Sequence, residues 1–245
     1  MNIVKKDDLC KTTYFSLIES IKADGYSFCT YTENVDVGNR VCILRHDVDF
    51  DMYSALELAK YDFSLGVKST FFLQLNSCYY NLLSVETQRI VYKINKLGHY
   101  LGTHVYLDQP IYSQSEVNFL TEQTKKQIEY FSHLFPDINL VPAFSFHVPK
   151  VDILGKIQID GYENTYSDKY FRDILYSSDS GGLWRYGLPM DNPKYGQLSL
   201  QLLIHPVWWI NQGVTPIDKI RNAFQCASER KIRDIVGGTS AYKLL

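Results

Sequence analysis

One stretch constrains the fold more than any other: Val41–Asp51, which reads VCILRHDVDFD. Val41, Cys42, Ile43 and Leu44 are an apolar run with two β-branched members, the pattern of a buried strand. The run stops on Arg45, His46, Asp47, Val48 and Asp49, of which all but Val48 can carry charge. DMYSALELAKYDFSLG follows, with Met52, Ala55, Leu56, Ala59 and Phe63 at helical spacing, Asp51 placed to cap the start and Gly66 to end it. A charged cluster therefore sits where a core strand ends and a helix begins. In α/β folds ligand sites are built at that edge, because the sheet fixes side chains that stay open to solvent.

The rest of the chain keeps alternating. Helices are predicted over Asp8–Ala23, Ser84–Leu97, from a Ser113–Glu116 capping box to about Leu134, and from a Thr215 cap with Pro216 at the first helical position to about Ile235. Strands are predicted over Ser27–Tyr31, Ser69–Leu75, Tyr100–His104, Ala143–Phe146, Tyr162–Tyr166 and Leu198–Ile204, and Ser167–Pro193 reads as a loop rich in Asp, Ser and Gly. Strands alternating with helices imply a parallel sheet or barrel. With no repeat, low-complexity segment or linker, one domain over residues 1–245 is expected.

Composition excludes several function classes. A formal net charge of −2 gives no reason to expect a nucleic-acid partner. Cys10, Cys29, Cys42, Cys78 and Cys226 are odd in number, scattered and never in a Cys-x-x-Cys pair, so they read as reduced thiols. The N-terminus has no apolar signal-like region, and no segment approaches the roughly 20 apolar residues that span a bilayer, so a cytoplasmic protein is expected. The nineteen tyrosines fit either a compositional bias or a surface that stacks on sugars.

Among the six histidines, His46, His104, His147 and His205 fall at or just past predicted strand ends. Parallel strands put those ends on one face, where the imidazoles would meet Asp47 and Asp49. His99 opens a strand, and His133 sits late in a helix, where it favours the dipole. A mixed Asp/His cluster suits Zn²⁺, Co²⁺, Ni²⁺ or Fe²⁺, with zinc expected first. Such an ion lowers the pKa of bound water towards about 7. A free carboxylate and a free histidine beside it can serve as base and acid. Residues i and i+2 of a strand face one side, so Asp47 and Asp49 can both reach the site.

RHDVD, followed by ALELAKYDFSLGVKSTFFL, resembles the opening of the polysaccharide deacetylase (NodB-homology) family. LGHYLGTHVY is similar to that family's second motif, FSFHVP stands in the place of its arginine-proline motif, and LLIHPVWW resembles its closing strand. The resemblance spans roughly Val41 to Trp209. It implies a distorted (β/α) barrel of mostly parallel strands. It also implies Asp47 as catalytic base, His205 as catalytic acid and His104 as first metal histidine. Three departures follow. Val48 separates the acidic pair, so the metal carboxylate is expected at Asp49. The second metal histidine would fall at Asp108, leaving the third ligand to Asp108 or, preferably, His147. His147 replaces the family's arginine, whose task of steadying Asp47 then falls to Arg45 or Arg185.

Substrate contacts are expected from His46 and from the loop YSSDSGGLWRYG, where Gly181 and Gly182 allow close backbone approach and Asp179, Trp184 and Arg185 can meet a sugar. Of Trp208 and Trp209 one is expected to pack and the other, assigned to Trp208, to line the pocket. The reading is a metal-dependent hydrolase that removes an N-acetyl or other acyl group from an amino sugar, either a small molecule or an oligosaccharide, in surface-polysaccharide synthesis. Two alternatives are hydrolysis of another non-peptide C–N bond and a non-catalytic carbohydrate-binding protein. A glycosidase with Asp47 and Asp49 as paired acids is disfavoured, since an i, i+2 pair is only about 6–7 Å apart between Cα atoms.

Overall fold

The computed structural model describes residues 8–33, 35–107, 114–149, 154–185 and 187–238. Ser113 of the expected capping box and Asp108 lie outside them. The strands are β1 (Ser27–Cys29), β2 (Val41–Val48), β3 (Thr70–Leu73), β4 (Tyr100–Val105), β5 (Leu140–Phe146), β6 (Glu163–Asn164), β7 (Leu175–Ser178) and β8 (Leu200–Ile204). The helices are α1 (Lys11–Ala23), α2 (Met52–Ser64), α3 (Val85–Lys96), α4 (Gln114–Leu134), α5 (Pro206–Ile210) and α6 (Pro216–Gly238).

Every pairing between these strands is parallel, in the order β6-β5-β4-β3-β2-β8-β7, with β1 alongside the start of β2. No pairing joins β6 to β7 among the described residues, so the sheet curves as a barrel that does not close. This is the expected distorted (β/α) barrel. The apolar run of β2 is central because β1, β3 and β8 all pair with it. Local signals act as their chemistry requires. The Asp51 carboxylate accepts from the Tyr53 and Ser54 amides at the start of α2, and Ser84 accepts from Thr87 at the start of α3. Gly66 and Gly98 follow with φ of 67° and 87°, a conformation glycine enters without penalty.

Alternation decides which side chains enter the barrel. On β2, Cys42 and Leu44 pack outward against Leu17, Leu58 and Trp209, while Ile43 joins Tyr31, Phe72 and Val141 inside. Arg45 and Asp47 share the parity of Ile43. On β4 the inward position below His104 is Gly102, where a Cβ would lie 2.5 Å from the Phe72 ring, so glycine lets that ring fill the barrel floor.

Two expectations need correction. Ser167–Pro193 is not all loop: it contains β7 and a helical turn over Lys169–Asp173. The strand is not evident in the sequence because Leu175-Tyr176-Ser177-Ser178 is short and half polar, an edge strand that among the described residues pairs with β8 alone. His46 is the second: it lies on the outer face of β2, fully buried, with Nε2 2.8 Å from Asp62 Oδ2 and its ring stacked on Phe71. Tyr14 and Ser69 complete the shell of Asp62 at 2.5 and 2.7 Å. Among the described residues no helix is long and apolar enough to cross a membrane.

Candidate metal centre and acid–base site

Strand direction gathers the site. Asp47 lies near the end of β2, Asp49 just past it, and His104 in the last turn of the pleat of β4. His147 follows β5, Asp179 follows β7 and His205 follows β8. Because all these strands are parallel, the residues meet at one end of the barrel.

Asp49, His104 and His147 form a compact donor set, with one ligand atom from each inside 4.8 Å of the others. His104 Nε2 and His147 Nδ1 each stand 3.1 Å from Asp49 Oδ1. Burial alone would raise the Asp49 pKa, but the bonds from His104 and His147 outweigh it and hold the carboxyl well below the usual range. One carboxylate and two imidazoles is a donor set that suits a zinc-like ion and leaves positions open. The outer contacts fit too. His104 Nδ1 lies 2.6 Å from Ser145 Oγ, and Gln74 Nε2 donates to Asp49 Oδ1 at 3.2 Å. Such contacts fix the orientation of a ligating ring and carboxylate.

Asp47 stands beside this set. Arg45 Nε and Nη2 donate to its two oxygens at 2.9 and 2.6 Å, and the Arg45 guanidinium also donates to Tyr166 Oη at 3.0 Å. Burial again opposes ionisation, and Arg45, with help from His104 and His205, outweighs it and lowers the Asp47 pKa. Arg45, not Arg185, therefore steadies Asp47. Ser145 Oγ is 3.5 Å from Asp47 Oδ1, which links the His104 ring to the same carboxylate.

His205 faces Asp49 from the opposite wall, Nε2 to Oδ2 3.8 Å. Its Nδ1 lies 2.6 Å from Asp179 Oδ1. Asp179 also accepts from the His205 amide at 3.0 Å and from Trp209 Nε1 at 2.6 Å. Burial would depress the His205 pKa, yet Asp179 overcomes that and raises it to about 9. The imidazolium can thus give up a proton while Nε2 faces the cavity.

The space between them is a cavity of about 430 Å³ lined by Asp47, Asp49, His147, His205, Arg185 and the rings of Tyr166, Phe171 and Tyr176. Three expected substrate contacts are not on its wall. Asp179 is fully buried beneath His205, so it orients that ring and cannot reach a ligand. Trp184, on the loop after β7, and Trp208, on α5, both belong to the buried core cluster that holds Trp209 and residues of α1, and the Trp184 ring lies edge-on to Trp209. Arg185 does reach the cavity. Ser145, Gln74 and Tyr166 escaped the sequence reading. Ser145 stands two residues before His147 at the end of β5, and Tyr166 ends the strand expected over Tyr162–Tyr166; those positions are the signals that could have marked them.

No family model and no curated protein sequence matches the chain. Among solved structures it is similar to the chitin deacetylase from the fungal pathogen Colletotrichum lindemuthianum, at 15% identity and a TM-score of 0.43, covering 76% of this chain and 81% of that one. It is also similar to the Bc1960 peptidoglycan N-acetylglucosamine deacetylase, at 14% identity and a TM-score of 0.40, covering 87% and 92%. Both are named as deacetylases.

Proposed function

We propose that the chain is a metal-dependent hydrolase that removes an N-acetyl or other acyl group from an amino sugar. One observation carries this reading: an Asp–His–His donor set stands between a carboxylate kept ionised by Arg45 and an imidazole kept protonated by Asp179. Asp49, His104 and His147 would hold a divalent ion, whose Lewis acidity polarises the acyl carbonyl and makes water easier to deprotonate. Asp47, ionised across the physiological range, accepts the proton of the attacking water. Its lowered pKa makes it a modest base, so it suits a water already acidified. His205 Nε2 then donates a proton to the departing amine, and Asp179 stabilises both the tautomer and the charge. The rings of Tyr166, which is buried, and of Phe171 and Tyr176, which are half-buried, line the cavity and offer faces to a sugar.

The substrate is proposed as a small-molecule or oligosaccharide amino sugar of surface-polysaccharide synthesis. The test is metal content by elemental analysis, followed by acetate release from a panel of N-acetylated amino sugars and non-sugar amides. About one transition-metal ion per chain with sugar-selective release supports the reading. No uptake of Zn²⁺, Co²⁺ or Ni²⁺ would favour a carbohydrate-binding protein, and release from cyclic amides alone would favour hydrolysis of another C–N bond.

A further inference from the structure

Among the described residues the charged groups that line the cavity pair off with one exception. Asp47 is matched by Arg45, Asp49 by His104 and His147, and Asp179 by His205. Arg185 lines the same cavity, is exposed, and its guanidinium has no hydrogen-bond or ion-pair partner among the described residues. An unmatched arginine on an open surface is ordinary and simply solvated. This one is held within the wall of a reactive site. Gly181 has φ of 72°, and a Cβ there would lie 3.1 Å from Arg185 Nη2, so the guanidinium rests against bare backbone. Ser178 and Ser180, whose hydroxyls are 2.5 Å apart, line the wall beside it and add donors.

A planar guanidinium with its fork free recognises paired anionic oxygens. A wholly neutral sugar would leave that fork without the partner every other charged group in the cavity has. We propose that the substrate carries an anionic oxygen group, a carboxylate or a phosphate, and that Arg185 with Ser178 and Ser180 selects for it. The acyl-amino part of that substrate rests on the hydrolase reading above; the anionic part rests on Arg185 alone.

Two measurements on the full chain separate these. Calorimetric titration of chelator-treated protein with glucuronate, glucose 1-phosphate and glucose reads anion recognition without any metal. At least one acid is expected to bind about tenfold or more tighter than glucose. Arg185→Ala abolishes the preference and Arg185→Lys keeps part of it. Which acid gains identifies carboxylate or phosphate as the group. Equal binding of all three, no binding of either acid, or a preference unchanged in Arg185→Ala overturns the proposal. In parallel, acetate release by metal-supplied protein is compared for acidic and neutral N-acetylated sugars. Arg185→Ala is expected to raise KM for the acidic ones about tenfold with kcat little changed. An acid preference in the titration with no hydrolysis of any sugar would sink the hydrolase reading and leave anion recognition standing; hydrolysis with no acid preference would do the reverse.

Discussion

Arg45 grips both oxygens of Asp47 from two positions earlier on the same strand, at 2.9 and 2.6 Å, and both side chains are buried, with Asp47 on the cavity wall. The pair is possible because β2 turns both residues into the barrel, where Tyr166 and Phe72 cover the guanidinium at 4.7 and 5.5 Å from their ring centres. Removing one partner of a buried pair strands the other. Arg45→Ala is expected to cost about 3–5 kcal/mol in urea unfolding. Arg45→Lys keeps the charge but loses the fork, and should fall between. Unfolding of Arg45→Ala at the wild-type urea midpoint would show the pair to be dispensable.

The base and the ligands make separable predictions. Asp47→Asn should retain metal and lose turnover by a factor of about 10²–10⁴, the usual share of a general base. His104→Ala should lose both, because it removes a donor that faces Asp49 at 3.1 Å. Ser145→Ala leaves all three donors but frees the His104 ring, and metal affinity is expected to drop about 10–100-fold. Competition with a chelating dye measures the affinities. Full activity in Asp47→Asn would remove it from the mechanism.

The His205–Asp179 pair predicts a pH dependence. In the chelator-treated protein the His205 ring should titrate near pH 9, well above the ordinary histidine value of about 6.5. Its folded pKa is the raised one, so the stability it contributes is complete below about pH 6.5 and is lost as pH rises towards 9. Asp179→Asn removes the cause, and the ring should then titrate below the wild-type value, shifting the alkaline limb of the activity profile towards lower pH. Imidazole proton resonances followed against pH measure this directly. An unchanged titration in Asp179→Asn would mean another group holds the proton.

What could be read from sequence was what depends on local pattern. The β2 run, its Asp51 cap and the Gly66 stop are encoded within a few residues, and so was the expectation that Asp47, Asp49, His104, His147 and His205 share one edge. Placement of side chains by distant packing was less legible. Trp184 follows a stretch of Ser, Asp and Gly, and it meets Trp209 and the cluster that includes α1 only once the chain folds. Asp179 looks like a loop carboxylate until β7 pairs with β8 and brings it under His205. The assignment of His46 is different: alternation along β2 already sets it on the face opposite Asp47, and the convergence of histidines at strand ends obscured that parity.

That parity supports the last prediction. His46 binds Asp62 on α2, and Tyr14 and Ser69 bind the same carboxyl group, so α1, α2, β2 and the residue before β3 meet on one buried side chain. Ser69 also reaches His99 Nδ1 at 3.0 Å, and His99 Nε2 lies 2.8 Å from the Ala59 carbonyl, which ties α2 to the start of β4. Asp62→Ala leaves those polar groups buried without an acceptor, each at a cost of about 1–3 kcal/mol before relaxation. A loss of about 3 kcal/mol or more is expected in thermal or urea unfolding. The network lies behind the strand from the metal donors, so metal bound per folded chain should stay at the wild-type level in Asp62→Asn and in His46→Gln. If either variant keeps its fold and loses metal, the outer face of β2 shapes the site in a way that its hydrogen bonds do not show.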